Sequence, residues 1–213
     1  MLGLYKKGMV SKMINIAVLV SGGGTNLQAL LDAQERGENP HGAVTLVVAS
    51  NHKAYALERA KAHGIAAAVV ARREYDTPQA FDEALVGVLR QHNIHLVVLA
   101  GFLCILGPAM IHAYRDRIVN VHPSLIPSFC GDGFYGLKVH EAALAYGVKV
   151  TGATVHLVNE ITDGGRILLQ QAVNIQEGDT PETLQRRVME QAEWVILPKA
   201  VAMLSAELDN NRQ

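Results

Sequence analysis

The chain of 213 residues is poor in the features that mark secreted, membrane-bound or nucleic-acid-binding proteins. Its 2 cysteines, Cys104 and Cys130, make neither a disulfide framework nor a zinc-binding spacing, which points to a reducing cytoplasm. Lysines and arginines number 19 against 20 acidic residues, a formal charge of −1, so no net field exists to draw a nucleic acid or an anionic membrane. No segment approaches the ~20 continuous apolar residues of a membrane span. The opening MLGLYKKGMVSK has two lysines but no apolar stretch of signal-peptide length. Residues 1–12 therefore read as a tail. Repeats, low-complexity tracts and Pro/Ser-rich linkers are missing too, which leaves residues 13–213 as one domain, within the range of about 250 residues that α/β domains reach. With 49% hydrophobic residues, such a domain buries a full core.

What is present is a rhythm. INIAVLV, AVTLVVAS, IAAAVVA and IHLVVLAG are short apolar runs, and between them lie segments with helical spacing. Leu27, Leu30 and Leu31 share a face in the first of these. Thr77 caps another, with Pro78 at its first position and Phe81, Ala84, Leu85, Val88 and Leu89 facing inward. The alternation predicts βαβ units around a parallel sheet covered on both faces. After Gly101 the rhythm changes. A short helix near Pro108 leads to the strand RIVNVH, a long loop over residues 123–136 and a helix near His140. TGATVHLVN and RILLQQAVNI then flank an Asp-Gly-Gly connection, the mark of an antiparallel hairpin. Thr180 and Pro181 open a last helix with Leu184, Val188, Ala192 and Val195 on one face, broken or kinked at Pro198.

SGGGTN, between the first strand and first helix, is either a tight turn or an anion site, since glycines admit close approach and the N–H groups of a helix start favour negative charge. A dinucleotide fingerprint would need glycine where Leu27 stands, and a Walker loop would need a Gly-Lys-Ser/Thr end. A small phosphate monoester at Gly24, Thr25 and Asn26 fits better.

Asn120 and His122 lie two apart at the end of the fifth strand, on one face, where open α/β sheets bind ligands. Alone, His122 reads as structural. Beside Asn120, and with Asp163 carried in by the Asp-Gly-Gly loop, it becomes one of two donors aimed at a developing oxyanion, its charge sustained by the carboxylate. No activated Ser or Cys nucleophile accompanies them, which suits attack by a substrate's own amine on an acyl donor. His140 and His156 show no metal spacing, so no metal is expected. Cys104 and Cys130 lack an adjacent base.

SGGGTNLQAL, VVLAGFLCIL, NVHPSLIPSF, GATVHLVNEITDGGRIL and VILPKAV resemble, in that order, the glycinamide ribonucleotide formyltransferases, folate-dependent enzymes of purine biosynthesis; the resemblance spans residues 15–204. It implies a Rossmann-like formyltransferase fold: a mostly parallel sheet with helices on both faces, an antiparallel hairpin in the C-terminal half, a ribonucleotide-binding first half and a folate-binding second half. It implies that Asn120, His122 and Asp163 are catalytic, that Gly24, Thr25 and Asn26 bind the substrate phosphate, and that Glu193 contacts the substrate. Glu193 lies one residue further from Arg187 and Val188 than the family spacing. The resemblance assigns the folate pocket to Phe102, Leu103, Cys104, Ile105, Leu106, Val158, Asn159, Glu160, Ile161 and Thr162. Many members carry arginine where Cys104 stands, and the segment SFCGDGFYG is longer than the usual one.

The implied partners are glycinamide ribonucleotide and 10-formyltetrahydrofolate, with no nucleic acid or membrane, in a cytoplasmic enzyme acting alone or as a homodimer. A formyltetrahydrofolate deformylase would transfer formyl to water and usually has an additional N-terminal domain. A methionyl-tRNA formyltransferase needs a further C-terminal nucleic-acid-binding domain. A phosphate-binding module needs only SGGGTN and leaves Asn120, His122 and Asp163 without a task.

Overall fold

The structure is a computed structural model that describes residues 13–212; the tail read at residues 1–12 lies outside them. The strands are β1 (Ile14–Val20), β2 (Gly42–Ala49), β3 (Ala66–Val69), β4 (Leu96–Leu99), β5 (Ile118–His122), β6 (Val150–Leu157) and β7 (Ile167–Asn174). The helices are α1 (Thr25–Glu35), α2 (Ala56–Ala62), α3 (Pro78–Gln91), α4 (Pro108–Ala113), α5 (Leu137–Tyr146), α6 (Pro181–Val188) and α7 (Trp194–Asn210). The strands form one sheet in the order β3-β2-β1-β4-β5-β6-β7. β1 to β5 run parallel, and β6 and β7 are antiparallel additions. The mixed sheet is the one the sequence pattern predicts.

The apolar runs are strands buried on both faces, and alternate residues of β1 feed two cores. Ile14, Ile16, Val18 and Val20 pack with Leu27 and Leu31 of α1 and Leu197 of α7. Ala17 and Leu19 pack with Phe81 and Leu85 of α3 and Met110 of α4. Because the chain leaves β1 toward β2 and β3 and then returns to β4 on the other side, the strand order reverses between β1 and β4. A crevice opens there beyond the carboxyl ends. The glycine turn follows β1, the GFLCIL loop follows β4, and Asn120 and His122 end β5. Among the described residues, no helix is long and apolar enough to cross a membrane.

One expectation fails. Leu184, Val188 and Ala192 are buried, but Val195 is 37% exposed. A π-turn, Met189–Glu193, separates α6 from α7, and such a turn adds one residue to the helical register. The buried side passes to Ile196 and Leu197. Nor does Pro198 end the helix, which continues to Asn210. Pro198 lies in the first turns of α7, inside the helix.

Candidate active site

β5 ends in Asn120 and His122, and β6 beside it sets His156 opposite Asn120 and Thr154 opposite His122. After β6 the chain turns back at Asp163, which has φ 54°. Its carboxylate enters between the two histidines: Oδ2 is 3.5 Å from His122 Nδ1 and Oδ1 is 3.6 Å from His156 Nε2. Both distances are too long for hydrogen bonds, and either becomes an ion pair only when the ring is protonated. Asn120 Nδ2 lies 3.1 Å from His156 Nε2. His156 Nδ1 lies 2.9 Å from the Leu157 carbonyl, so that nitrogen donates and Nε2 accepts the Asn120 N–H. The second Asn120 N–H remains for a ligand oxygen.

His122 is 5% exposed, and its Nε2 lies 2.9 Å from the Phe129 carbonyl. A carbonyl only accepts, so Nε2 carries the proton and Nδ1 turns toward Asp163. Burial is the largest influence on the ring and lowers its pKa; the Phe129 carbonyl and Asp163 raise it, His156 lowers it, and the net result is below 6.5. The direction of this shift works against a resting imidazolium, which the Asp163 carboxylate alone would favour. The lowered pKa favours the neutral ring, whose Nδ1 is turned toward Asp163. Burial raises the Asp163 pKa, but His156, the Gly131 N–H and His122 outweigh it and hold the carboxyl below the ordinary range. The site therefore pairs a neutral base with a fixed negative charge.

The glycine turn is built for close approach. Gly24 has φ 72°, and a Cβ there would come within 2.7 Å of the Ala56 Cβ. Only glycine allows both the left-handed turn and the contact with α2. α1 starts at Thr25 with no acidic residue in its first turn, leaving free N–H groups and a positive dipole end. Arg59 of α2 donates from Nε to the Gly23 carbonyl at 2.8 Å, adding a cation beside the turn. Asn26 points inward and donates from Nδ2 to Glu193 Oε2 at 2.6 Å. Glu193 is 7% exposed; burial raises its pKa and Asn26 opposes the rise. The structure thus brings Thr25, Asn26 and Glu193 together across 167 positions.

The residues assigned to folate divide. Leu106 belongs to the buried core between the sheet and α3 and α4, with Phe102, Cys104 and Val158 packed against it. Leu103, Ile105 and Ile161 stand 67%, 78% and 68% exposed. Glu160 faces Arg115 at 3.2 Å, and Asn159 Oδ1 accepts the Ile161 N–H. Ser21 links the two halves, its Oγ accepting the Leu103 N–H at 2.9 Å. Cys104 is half-buried, and burial raises its thiol pKa.

The formyl transferase family model matches residues 14–201. The chain belongs to that family. The chain is 40% identical over 195 residues to the human trifunctional purine biosynthetic protein adenosine-3, covering 92% of this chain and 19% of that one. It is 39% identical over 175 residues to the chloroplastic phosphoribosylglycinamide formyltransferase of Arabidopsis thaliana, covering 82% and 60% of the two chains. The chain thus spans about a fifth of the trifunctional relatives. Among solved structures it resembles glycinamide ribonucleotide transformylase 1 from Symbiobacterium toebii, with a TM-score of 0.86 and 41% identity over 97% of this chain and 92% of that one. It also resembles phosphoribosylglycinamide formyltransferase from Bacillus halodurans, with a TM-score of 0.83 and 37% identity over 89% and 94%.

Three features near the site carry no motif in the sequence. His156 has no metal spacing to mark it, although Thr154 and His156 alternate onto one face of their strand. Arg59 lay in an ordinary helical pattern. The backbone of residues 128–131, which touches His122 and Asp163, carries no side-chain signal at all.

Proposed function

We propose that the chain transfers the formyl group of 10-formyltetrahydrofolate to the primary amine of glycinamide ribonucleotide, as a cytoplasmic enzyme of purine biosynthesis that needs no metal. The single observation that carries this reading is the convergence of His122 Nδ1 on the Asp163 carboxylate, 3.5 Å apart, beside the Asn120 amide, in a member of the formyl transferase family.

The geometry and the family resemblance support these roles. The ribonucleotide phosphate sits on the N–H groups of Gly24, Thr25 and Asn26, and Glu193, held by Asn26, accepts a hydroxyl of the ribonucleotide. The folate head group covers Leu103, Ile105 and Ile161, flanked by Phe102, Cys104, Leu106, Val158, Asn159, Glu160 and Thr162. The amine nitrogen attacks the formyl carbon, and the oxygen that becomes negative takes the free N–H of Asn120. His122 Nδ1 accepts the proton leaving the amine. The imidazolium so formed is stabilised by the Asp163 carboxylate. The proton then passes to the folate nitrogen as the old C–N bond breaks and the new amide remains. His122 thus donates to the oxyanion only after it has become charged.

The test supplies 10-formyltetrahydrofolate with and without glycinamide ribonucleotide and follows released tetrahydrofolate. Release that requires the ribonucleotide supports the transfer. Release without it indicates hydrolysis, and no release with retained ligand binding indicates a binding module; either result contradicts the proposal.

A further inference from the structure

The loop between β5 and α5 ends beside the two groups on which the proposed chemistry depends, and it reaches them with backbone atoms alone. The Phe129 carbonyl lies 2.9 Å from His122 Nε2. Two residues on, the Gly131 N–H donates to Asp163 Oδ2 at 2.9 Å. We propose that residues 128–131 are a backbone clamp for this site: the Phe129 carbonyl selects the nitrogen His122 turns to the substrate, and the Gly131 N–H orients Asp163. The inference rests on the roles assigned to His122 and Asp163 above. Phe129 and Gly131 are positioning residues and touch no substrate.

The local construction supports a fixed clamp. Phe129 has φ 49°, a left-handed conformation that costs a residue with a Cβ on the order of 1 kcal/mol or more. It is held there from outside. Its ring packs edge-on against Phe134 at 6.4 Å and against Tyr146 of α5 at 6.0 Å. The turn before it is closed by Ser124 Oγ donating to the Ser128 carbonyl and the Ser128 N–H donating to the Leu125 carbonyl. A side-chain acceptor could rotate away from His122, but a carbonyl fixed at both ends cannot. Gly131 has φ 86°, and a Cβ there would meet nothing within 4 Å. Glycine is needed for the backbone angle, not for space.

The clamp also separates the two nitrogens by task. With Nε2–H engaged, the neutral ring has one free lone pair, and it faces Asp163 and the amine. The ionisable groups around His122 and Asp163 are His156 from β6, His140 from α5 and the Cys130 thiol. None of these contacts His122 Nε2, so the tautomer rests on the carbonyl.

The experiment has two parts. In the wild-type protein, nitrogen-15 NMR of labelled histidine at pH 7.5 is expected to show His122 as the Nε2–H tautomer; an Nδ1–H tautomer overturns the proposal. In Gly131→Ala, kcat is expected to fall roughly tenfold, the equivalent of one hydrogen bond to a charged group. The acidic limb of the kcat profile is expected to move upward by roughly half a pH unit or more, since a carboxylate no longer shared with an N–H favours the imidazolium more strongly. The KM for glycinamide ribonucleotide should stay within about twofold, because the phosphate anchor is remote from the clamp. An unchanged kcat, or a fall with no shift of the limb, overturns the proposal. If Gly131→Ala does not fold, the wild-type tautomer decides. A wild type that never transfers formyl to the ribonucleotide sinks the functional reading, while the tautomer result is read independently.

Discussion

His122 Nδ1 faces Asp163 Oδ2 at 3.5 Å across a gap that neither closes by a hydrogen bond. A neutral lone pair and a carboxylate oxygen do not attract each other, so the pair is poised for a proton arriving from outside. Once Nδ1 is protonated the same contact becomes an ion pair. A resting imidazolium would have spent that attraction before the amine arrived.

Asn120→Ala removes the amide N–H proposed to meet the oxyanion. Turnover is expected to fall on the order of a hundredfold to a thousandfold, with the KM for the ribonucleotide nearly unchanged. Steady-state kinetics at saturating folate checks both numbers.

The acidic limb of kcat reports the base. Its active form is neutral, and the His122 pKa is lowered from 6.5, so activity persists as pH falls past 6.5 and is lost only below it. Asp163, held below 3.8, stays charged over that window and adds no limb above pH 5. A kcat profile whose acidic limb lies above 6.5 would contradict this assignment.

Most of the sheet was legible because strands buried on both faces leave uniform apolar runs and the helices between them keep their spacing. Asn120 and His122 were legible because a strand places i and i+2 together. Glu193 required a family resemblance, and the π-turn that precedes α7 leaves no mark in the apolar spacing, which is why Val195 faces outward. His156 becomes visible only when β5 and β6 are paired, since its partner is 36 positions away. Arg59 and the Phe129 carbonyl act through contacts with backbone or as backbone, and these leave no pattern in side-chain chemistry.

The Asn26–Glu193 contact joins the first helix to the last. Asn26→Ala leaves a buried carboxylate without its donor, so the protein is expected to lose roughly 2 kcal/mol or more, and the KM for the ribonucleotide should rise. Denaturant midpoints and kinetics measure the two effects. Deleting Gln191, by contrast, removes the extra residue of the π-turn; α6 and α7 should then join regularly, with melting temperature lowered by only a few degrees.

His140 is fully buried, and neither ring nitrogen has a partner in the folded protein. Burial, aided by His122, pushes its pKa down to about 4 from 6.5. The unfolded chain takes up that proton first, so folded stability falls as pH drops from 6.5 toward 4 and levels off below. The loss from this residue reaches up to roughly 3 kcal/mol. His140→Leu should flatten the difference between unfolding free energies at pH 7 and pH 4.5; an equal pH dependence in both proteins would contradict the assignment.

The central claim is that Asp163 serves the chemistry through His122 and not the binding of the ribonucleotide. Asp163→Asn keeps size and hydrogen-bonding capacity but removes the charge that stabilises the imidazolium. The deciding measurement is kcat for ribonucleotide-dependent tetrahydrofolate release in this variant, with ribonucleotide affinity from calorimetry. A fall of about a hundredfold or more with affinity within about twofold is the predicted result. Near-normal turnover at neutral pH, or a loss confined to affinity, would contradict it.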